Sequence, residues 1–486
     1  MRPLCIACAA IALAAPLTAQ QPIRTTGALS LDDAISIALE NNSTYTQTKN
    51  ARRVSNAQVR QAMSALLPSA NARLSSSYSQ GGTQVDARGS FANPDTYASG
   101  YSISLSYTIA PNLLYAPKAA KVARDASDAD IRNSASLLRS QVTTEYITVL
   151  QQEAQAAVQD SLVQSFQGQA SLVTAKLEAG AATIIDMRTA EVSVAQAQVT
   201  ALQLHNAAKV ERLKLYQMMG VDADLDASLT TQFPLANPTF SVDSLIALAM
   251  QSNPDLAAKR SREASSQAQV RVARSQYFPS ITFGTSYGAS AFGYATADGL
   301  VRTAQNNAVN SYSGCMTNDS IRVASGLAPR PCSSPVLSDS QVALVRAGNR
   351  PFAFTKNPYG LSVQVSLPIF NSYQREANLE QQQVLHDNAL SDLKARALQI
   401  KTDVSQAYYN LLTQARTVDM QAIIAAKSSE EFAGAQEKYK AGAGTFLDVT
   451  VARASYEKAQ IDRVNAIYEF HKAFAALESA VGRPLR

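Results

Sequence analysis

The sequence is short of the residues that metal sites and many active sites require. It has three histidines, His205, His386 and His471, and their spacing to one another and to cysteine matches no set of metal ligands. The chain has no glycine-rich phosphate loop and no dinucleotide-binding fingerprint. The sequence therefore predicts neither a metal nor a cofactor.

Long apolar runs are missing except at the N-terminus. Arg2 begins a short positive region, an apolar segment follows at 4–15, and Ala19 offers a small residue for cleavage. This pattern predicts a signal peptide at 1–19. No later segment reaches about eighteen consecutive apolar residues, so we expect no transmembrane helix.

Cysteine is scarce as well. Cys5 and Cys8 lie in the predicted signal peptide, which leaves Cys315 and Cys332 in the mature chain. An even count in an oxidising compartment favours a disulfide between these two residues. A closed loop of this size contributes about 3 kcal/mol in the loop-entropy model.

Neither sign of charge dominates the chain. Lysine and arginine number 43 against 38 aspartates and glutamates, a formal net charge of +5. Both signs are interspersed along the predicted helices, which argues against nucleic acid as a partner.

The chain repeats itself. Residues 31–76 align without a gap over 242–287, and 176–220 align over 438–482. These matches predict two structural repeats, at 20–230 and 231–486, in which equivalent elements serve one architecture. The matched pairs include Asn42/Asn253, Pro68/Pro279, Lys176/Lys438, Gly180/Gly442, Thr183/Thr445, Asp186/Asp448 and Gly220/Gly482.

Four segments alternate apolar and polar residues with period two, which predicts strands near 70–80, 101–110, 280–289 and 359–369. A membrane strand and a strand of a soluble sheet share this alternation; the secretion signal and the tyrosines at the strand ends favour the membrane. An open sheet edge in lipid costs several kcal/mol for each unpaired backbone group. Because four strands are too few to close, several chains would have to share one barrel, and three chains would supply twelve strands.

Most of the remaining sequence predicts long helices, at about 112–178 and 371–440. Gly180 and Gly442 interrupt these helices at matched positions, and each predicts a helical hairpin. Thr183 and Asp186, like Thr445 and Asp448, fit the capping pattern of a helix N-terminus. Capping is also the ordinary structural interpretation of both aspartates.

These features, taken in order, resemble the TolC-like outer membrane efflux proteins over nearly all of the mature chain. The resemblance is carried by the duplication, by the two A-G-x-x-T-x-x-D hairpins, and by the strand borders at 68–69, 279–280 and 367–370. It implies a mainly α fold with a membrane β-barrel. A long α-helical barrel of coiled-coil hairpins would be joined to four β-strands per protomer, which form a shared 12-stranded trimeric barrel.

The same resemblance implies location and function. Such proteins are homotrimers in the outer membrane of a Gram-negative bacterium, contact its lipid and extend into the periplasm. They act as passive exit ducts of tripartite efflux pumps or type I secretion systems, together with a periplasmic adaptor (membrane fusion) protein and an inner-membrane transporter. The sequence does not identify the cargo.

The resemblance also implies two sets of functional residues. The small residues of the hairpin tips match positions where family members meet the adaptor: Ala179, Gly180, Ala181, Ala441, Gly442 and Ala443. At the periplasmic aperture Asp448 matches a residue that forms an acidic ring in the trimer, where mutual repulsion raises carboxyl pKa values and attracts cations. Tyr439 and Asp186 match partners in a link that holds the inner hairpin closed. The chain departs from the pattern at Gly444, which replaces a basic residue, and at Val451, which replaces a second aspartate.

An enzyme and a scaffold protein are the alternative interpretations of this sequence. The segment 284–288 spells G-x-S-x-G, but a nucleophile elbow needs a strand that turns sharply into a helix, and this segment is predicted to lie within a strand. The stronger competitor is a periplasmic coiled-coil scaffold protein with a small soluble β-domain. The arginine-rich segment 291–356 is expected to be a long extracellular loop, which either contacts lipopolysaccharide phosphates or is simply solvated and partly flexible.

Overall fold

The computed structural model describes residues 27–86, 89–92, 94–235, 239–348, 350 and 353–485. The predicted signal peptide lies outside the described residues. In chain order the elements are β1 (Ala28–Leu29), α1 (Leu31–Asn41), α2 (Ser43–Ser64), β2 (Ser69–Ser79), β3 (Thr83–Asp86), β4 (Gly89–Ala92), β5 (Thr96–Ile109), α3 (Pro111–Glu178), α4 (Ile184–Met219), β6 (Ser228–Leu229), α5 (Val242–Ser252), α6 (Pro254–Ser275), β7 (Ser280–Tyr294), α7 (Ala297–Ala324), α8 (Asp339–Ala347), β8 (Thr355–Lys356), β9 (Gly360–Ser366), α9 (Gln374–Lys440) and α10 (Phe446–Val481).

The chain divides into two compact units. A helical unit comprises the residues up to Ala57, Lys121–Ala268 and the residues from Gln383 onward. A strand unit comprises Gln58–Ala120 and Gln269–Gln382. Both units contain residues from both halves of the sequence, because in each half the chain passes from the helical unit into the strand unit and back.

The two long helices are those expected from the sequence. α3 has 68 residues and α9 has 67, so each is about 100 Å long at 1.5 Å per residue. α9 begins three residues later than predicted, because Ser372 and Tyr373 adopt positive φ angles of 55° and 61° that a right-handed helix excludes. None of the described helices is both long enough and apolar enough to cross a membrane.

Two cores of the same design hold the helical unit. In the first half α1, α3 and α4 bury Leu138, Tyr146 and Leu215. In the second half α5, α9 and α10 bury Ile400 and Leu477 among others. Burial of one such side chain contributes roughly 1.5–3 kcal/mol. The apolar spacing of each helix face therefore carries much of the stability of this unit.

A hydrogen bond from an asparagine side chain to a backbone carbonyl, which we call the polar lock, lies beside each core. The side-chain amide of Asn42 donates to the carbonyl of Met218 at 2.8 Å, and that of Asn253 donates to the carbonyl of Ala480 at 2.9 Å. Each lock is followed by a glycine in the left-handed region, Gly220 with φ 74° and Gly482 with φ 88°. The residues that recur between the two halves of the sequence thus form the same contact twice.

The main sheet of the strand unit is antiparallel throughout. Its order is β2–β5–β7–β9, and the short β8 pairs with the same edge of β7 as β9. The four predicted strands are present with shifted bounds. β5 starts earlier and β7 ends later than their apolar alternation indicated, because backbone pairing continues to the Thr96–Tyr294 pair. β9 ends at Ser366, two residues before Pro368, which cannot donate to the ladder.

The register divides the side chains between two faces of the sheet. Ile103 lies between Ala72 and Tyr287, while the next residue, Ser104, lies between Asn71 and Ser286. One face is therefore rich in serine, threonine and glycine, and the other is apolar. The apolar face carries Ala72, Leu74, Tyr101, Ile103, Leu105, Tyr107, Ile281, Phe283, Tyr287, Leu361, Val363 and Val365.

The segment between β7 and β9, expected to be a loop, is largely helical. It contains the 28-residue α7 and the nine-residue α8. A disulfide joins Cys315 of α7 to Cys332, with Cα atoms 5.9 Å apart. Apolar residues are distributed around α7 without a dominant face, so its sequence has no helical periodicity that could predict it.

Candidate functional site

Both helical hairpins turn by the same backbone motif. After α3 the Ala181 amide donates to the Lys176 carbonyl at 2.7 Å, and the Gly180 amide donates to the Leu177 carbonyl at 3.0 Å. This is a Schellman motif, in which the residue at the turn adopts a left-handed conformation. Gly180 has φ 70°, as the motif requires.

The second hairpin reproduces this geometry after α9. The Ala443 amide donates to the Lys438 carbonyl at 2.9 Å, and the Gly442 amide donates to the Tyr439 carbonyl at 3.2 Å. Gly442 has φ 77°. The small side chains of Ala179, Ala181, Ala441 and Ala443 are consequently exposed at the two turns.

The two aspartates of the aperture prediction cap the helices that follow the turns. Asp448 accepts hydrogen bonds from the Thr445 amide at 2.9 Å and from its hydroxyl at 2.7 Å. Asp186 accepts the same pair from Thr183, at 2.9 and 2.8 Å. The hydrogen bonds from Thr445 hold the pKa of Asp448 below its usual value, and nearby Lys438 acts in the same direction. The sequence-based expectation of a raised pKa applies to an acidic ring of three copies. Within one chain the hydrogen bonds of the cap lower the pKa of Asp448.

An apolar cluster joins the two hairpins just behind the turns. Val173 and Ala190 of the first hairpin pack with Phe432, Tyr439 and Phe446 of the second. The rings of Tyr439 and Phe446 lie 5.8 Å apart. The tips are therefore held as a pair within one chain rather than as separate arms.

Two cation–π contacts cross between the hairpins in opposite directions. Nζ of Lys176, in the first hairpin, lies 4.3 Å from the ring centre of Tyr439 in the second and also donates to its backbone carbonyl. The guanidinium of Arg453, in the second hairpin, lies 4.6 Å from the ring centre of Phe166 in the first. Each such contact contributes about 0.5–2 kcal/mol, depending on burial.

Tyr439 and Asp186, predicted to be linked, lie near each other without a hydrogen bond between them. The Tyr439 hydroxyl is buried and has no hydrogen-bond partner among the described residues. Burial raises the pKa of the Tyr439 phenol, and the charge of Asp186 raises it further. A Cβ atom at Gly444 would lie 3.2 Å from Cβ of Lys438, so this position has little room for a side chain. In this chain the basic partner of Tyr439 is Lys176.

Exposed apolar side chains, which were not predicted from the sequence, follow both turns. Ile185 is 71% exposed and Leu447, at the matched position, is 69% exposed. Ile184 and Val192 line a shallow groove on the first turns of α4 together with Ile185. Their signal in the sequence is an apolar pair directly after an N-cap, where a helix normally carries polar residues.

Other candidate chemistry receives no support from the geometry. Ser286 of the G-x-S-x-G segment lies in the middle of β7, paired with Ser104 and Gly360, and not at a strand-to-helix turn. Among the described residues no group of three or more histidine, cysteine, aspartate or glutamate side chains could hold a metal ion.

Comparison with known proteins places these features in one family. The family model of the outer membrane efflux protein matches residues 34–221, 245–317 and 340–483. The toluene efflux pump outer membrane protein TtgF of Pseudomonas putida is 26% identical over 258 residues, which cover 53% of each chain. The chain thus spans about half the length of the curated relatives it matches.

Solved structures share the fold over most of the chain. The crystal structure of CusC matches with a TM-score of 0.70 at 16% identity and covers 93% of this chain and 92% of its own. The outer membrane protein VceC of Vibrio cholerae matches with a TM-score of 0.68 at 15% identity and covers 94% and 97%. Identity this low supports the fold alone, whereas the family model covers most of the sequence. The chain belongs to the outer membrane efflux protein family.

Proposed function

We propose that three copies of this chain form one passive exit duct, which crosses the outer membrane and receives its cargo in the periplasm from a tripartite efflux pump or type I secretion system. The observation that carries the proposal is the two-faced sheet with two free edges. Its apolar face suits lipid, and its serine- and glycine-rich face suits a water-filled lumen.

The free edges explain why more than one chain is needed. Among the described residues β2 pairs only with β5, and β9 pairs only with β7 along its length. Each edge presents backbone N–H and C=O groups that lipid cannot satisfy. Pairing β2 of one copy with β9 of the next satisfies both edges, and three copies supply twelve strands.

The alternative, a periplasmic scaffold with a soluble β-domain, fits the sheet less well. Leu74 is 82% exposed and Leu361 is 71% exposed in the single chain, and both lie on the same apolar face. A soluble domain would leave this face in contact with water, which is unfavourable by about 25 cal/mol for each Å² of apolar surface. Lipid removes that cost.

The hairpin tips are the proposed contact with the adaptor protein. Ala179, Gly180 and Ala181, with Ala441, Gly442 and Ala443, allow a partner helix to approach the backbone closely. The exposed Ile185 and Leu447 beside them supply apolar area that such a partner would cover. The inner-membrane transporter would supply energy and select the cargo.

Asp448, Asp186 and Tyr439 are proposed to form the periplasmic aperture. Asp448 is exposed beside the tip and carries a full charge at neutral pH, so three copies would form an acidic ring. Lys176 and Tyr439 would hold the two hairpins of each copy together in the closed aperture. The polar lining admits many solutes, and the toluene and pyoverdine named for relatives are two cargo candidates.

Cysteine cross-linking between copies tests the shared barrel. Ser75→Cys on β2 is combined with Ser362→Cys or Gln364→Cys on β9, all on the polar face. We expect oxidation to link neighbouring copies into dimers and trimers, and light scattering of the detergent-extracted protein to give three chains. Ser75→Cys with Ser290→Cys on the inner strand β7 is the matched control and should not link copies. A folded monomer without cross-links would contradict the proposal and favour the scaffold.

A further inference from the structure

A cleft lies in the helical unit between the middle of α3 and the C-terminal end of α10. It has a volume of about 300 Å³, at the small end of the range for ligand sites. Three arginines line it, Arg132 and Arg139 on α3 and Arg483 just after α10. We call this site the arginine cleft and define it by these three residues.

The three guanidinium groups line one cleft without an acidic partner among the described residues. None of them forms an ion pair or a hydrogen bond with another described residue. Several other arginines of the same unit do have acidic partners: Arg52 with Asp128, Arg212 with Glu153, Arg262 with Asp130, and Arg396 with Asp255 and Asp403. The chain therefore brings three like charges together at one cleft without the neutralisation it provides at other arginines.

The geometry of α3 directs these groups to one place. Arg132 and Arg139 are seven residues apart, two helical turns, so their Cα atoms are about 10 Å apart on one face. Ser136 and Ser140 lie between and beside them on that face and also line the cleft. Ser479 faces them from α10. The lining thus combines three cationic forks with several hydroxyl groups, which are the donors that bind oxyanions.

Two features of the cleft are unfavourable for binding an anion, and neither cancels the positive charge of the three arginines. Glu478 lines the cleft, but its Oε1 atom accepts a hydrogen bond from the Leu485 amide at 2.9 Å. The C-terminal carbonyls of α10 carry partial negative charge. The carbonyl of Ala480 is already bonded to Asn253 and that of Val481 to Ser252. Three positive charges against one negative side chain leave a cationic site.

We propose that the arginine cleft binds a small oxyanion ligand that bears two or more carboxylate or phosphate groups. A guanidinium presents two parallel N–H donors to either group, and arginines two helical turns apart on one face suit a molecule with more than one anionic group. Low-dielectric walls from Ala135, Pro254 and Ala475 strengthen the attraction relative to open water. The cleft is remote in sequence from the hairpin tips, so its ligand is distinct from the adaptor contact.

Titration calorimetry on the full chain in non-ionic detergent tests the proposal with citrate and pyrophosphate as probes. We expect saturable binding that weakens as salt is added, and the more tightly bound probe identifies the preferred group. An uncharged polyol of similar size should release no binding heat. Absence of citrate and pyrophosphate binding up to roughly 10 mM, a concentration that would detect even weak sites, would overturn the proposal.

A matched pair of double variants tests the residues. Arg132→Gln with Arg139→Gln should weaken binding by about tenfold or more, because two charge-assisted contacts are lost. Lys394 and Lys401 occupy the corresponding positions of α9, counted from the Gly180/Gly442 match, and are exposed. Lys394→Gln with Lys401→Gln removes the same charge and should change affinity by less than about twofold. Equal loss in both variants would reduce the effect to overall charge and overturn the site. Arg483→Gln, outside the long helices, repeats the test should the double variant fail to fold.

Discussion

A Cβ atom on Gly482 would come within 2.7 Å of the Cα atom of Asn253. Asn253 in turn donates its side-chain amide to the carbonyl of Ala480, two residues before the glycine. The end of α10 and the start of α6 are thus fitted to each other at backbone distance. The sequence repeat preserves both residues, as Asn42 and Gly220, for the same reason.

Replacement of Gly482 by alanine should therefore be destabilising. The left-handed conformation at φ 88° costs a non-glycine residue roughly 1–2 kcal/mol, and the contact with Asn253 adds to it. We expect a loss of about 2 kcal/mol or more in the free energy of unfolding, measured by chemical denaturation. Gly434→Ala in α9 is the control, because a Cβ there meets nothing within 4 Å and helix propensity predicts a gain of roughly 0.5–1 kcal/mol. If both variants changed the free energy of unfolding equally, the close packing of Gly482 against Asn253 would not be needed for stability.

Lys176→Gln should loosen the two hairpins. The variant loses the cation over the Tyr439 ring and the hydrogen bond to the Tyr439 carbonyl, together about 1–2 kcal/mol. On the proposed function, planar-bilayer recordings should show larger or more frequent openings. Lys427→Gln, at an exposed position of α9 outside the proposed aperture, should leave the currents nearly unchanged. Identical currents in the wild type and in Lys176→Gln would show that the contact between Lys176 and Tyr439 does not control the aperture.

Asp448→Asn should weaken block of the channel by divalent cations. The amide keeps an oxygen for the Thr445 hydrogen bonds, so the cap is retained while the charge is lost. Because the cap holds the pKa of Asp448 down, the wild-type carboxylate is charged at neutral pH and attracts the blocking ion. Conductance with and without Mg²⁺ measures the effect. Asp419→Asn, at an exposed position of α9 outside the proposed aperture, is the control. An unchanged block in the Asp448 variant would leave Asp448 with a capping role alone.

Stability should fall as pH rises through about 7, because of Glu145. Burial, followed by the neighbouring Glu211, raises the pKa of Glu145 to about 7, while Lys214 and Lys472 oppose the rise. The folded state therefore binds more protons than the unfolded state between about pH 4.5 and 7, and it loses this stabilisation once Glu145 ionises. The pKa of Glu211 is lowered, so its contribution is lost only at more acidic pH.

Glu145→Gln removes this dependence. After a discount for solvent screening, we expect a gain of about 1 kcal/mol at pH 8 and little change at pH 5, measured by thermal unfolding across that range. Glu431→Gln, an exposed glutamate of α9, should preserve the wild-type pH profile. A wild-type unfolding temperature that is flat or rises between pH 5 and 8 would be inconsistent with a proton held at Glu145.

Loss of the Cys315–Cys332 disulfide should act locally. The bond closes a loop with a sequence separation of 17 residues, worth about 3 kcal/mol in the loop-entropy model. In Cys332→Ser we expect faster hydrogen exchange and protease cleavage within 318–339, with little change in the helical unit. Cys315→Ser should behave alike. Protection equal to that of the oxidised wild type would mean that α7 and α8 are held by their other contacts, such as the ion pair of Arg346 with Asp298.

Local signals predicted much of this protein. Gly180, Gly442 and their capping threonines identified both hairpins, because turn and cap chemistry depends on a few adjacent residues. Period-two alternation located the four strands, although pairing between Thr96 and Tyr294 lengthened two of them beyond that alternation. The contact of Lys176 with Tyr439 was not predictable in this way, since the two residues come from different repeats and meet only through packing. The helix α7 was not predicted because it lacks the one-sided apolar face by which a helix is recognised.

The free edges of the sheet also determine which mutations act dominantly when mutant and wild-type copies are made together. Under the proposed assembly each copy completes the strand pairing of two neighbours, so a copy whose β2 or β9 cannot pair damages chains that are themselves intact. When such a copy is made alongside the wild type, most assembled rings contain at least one faulty member. Mutations in these two strands should therefore behave as dominant alleles, whereas mutations that merely unfold the chain before assembly should be recessive.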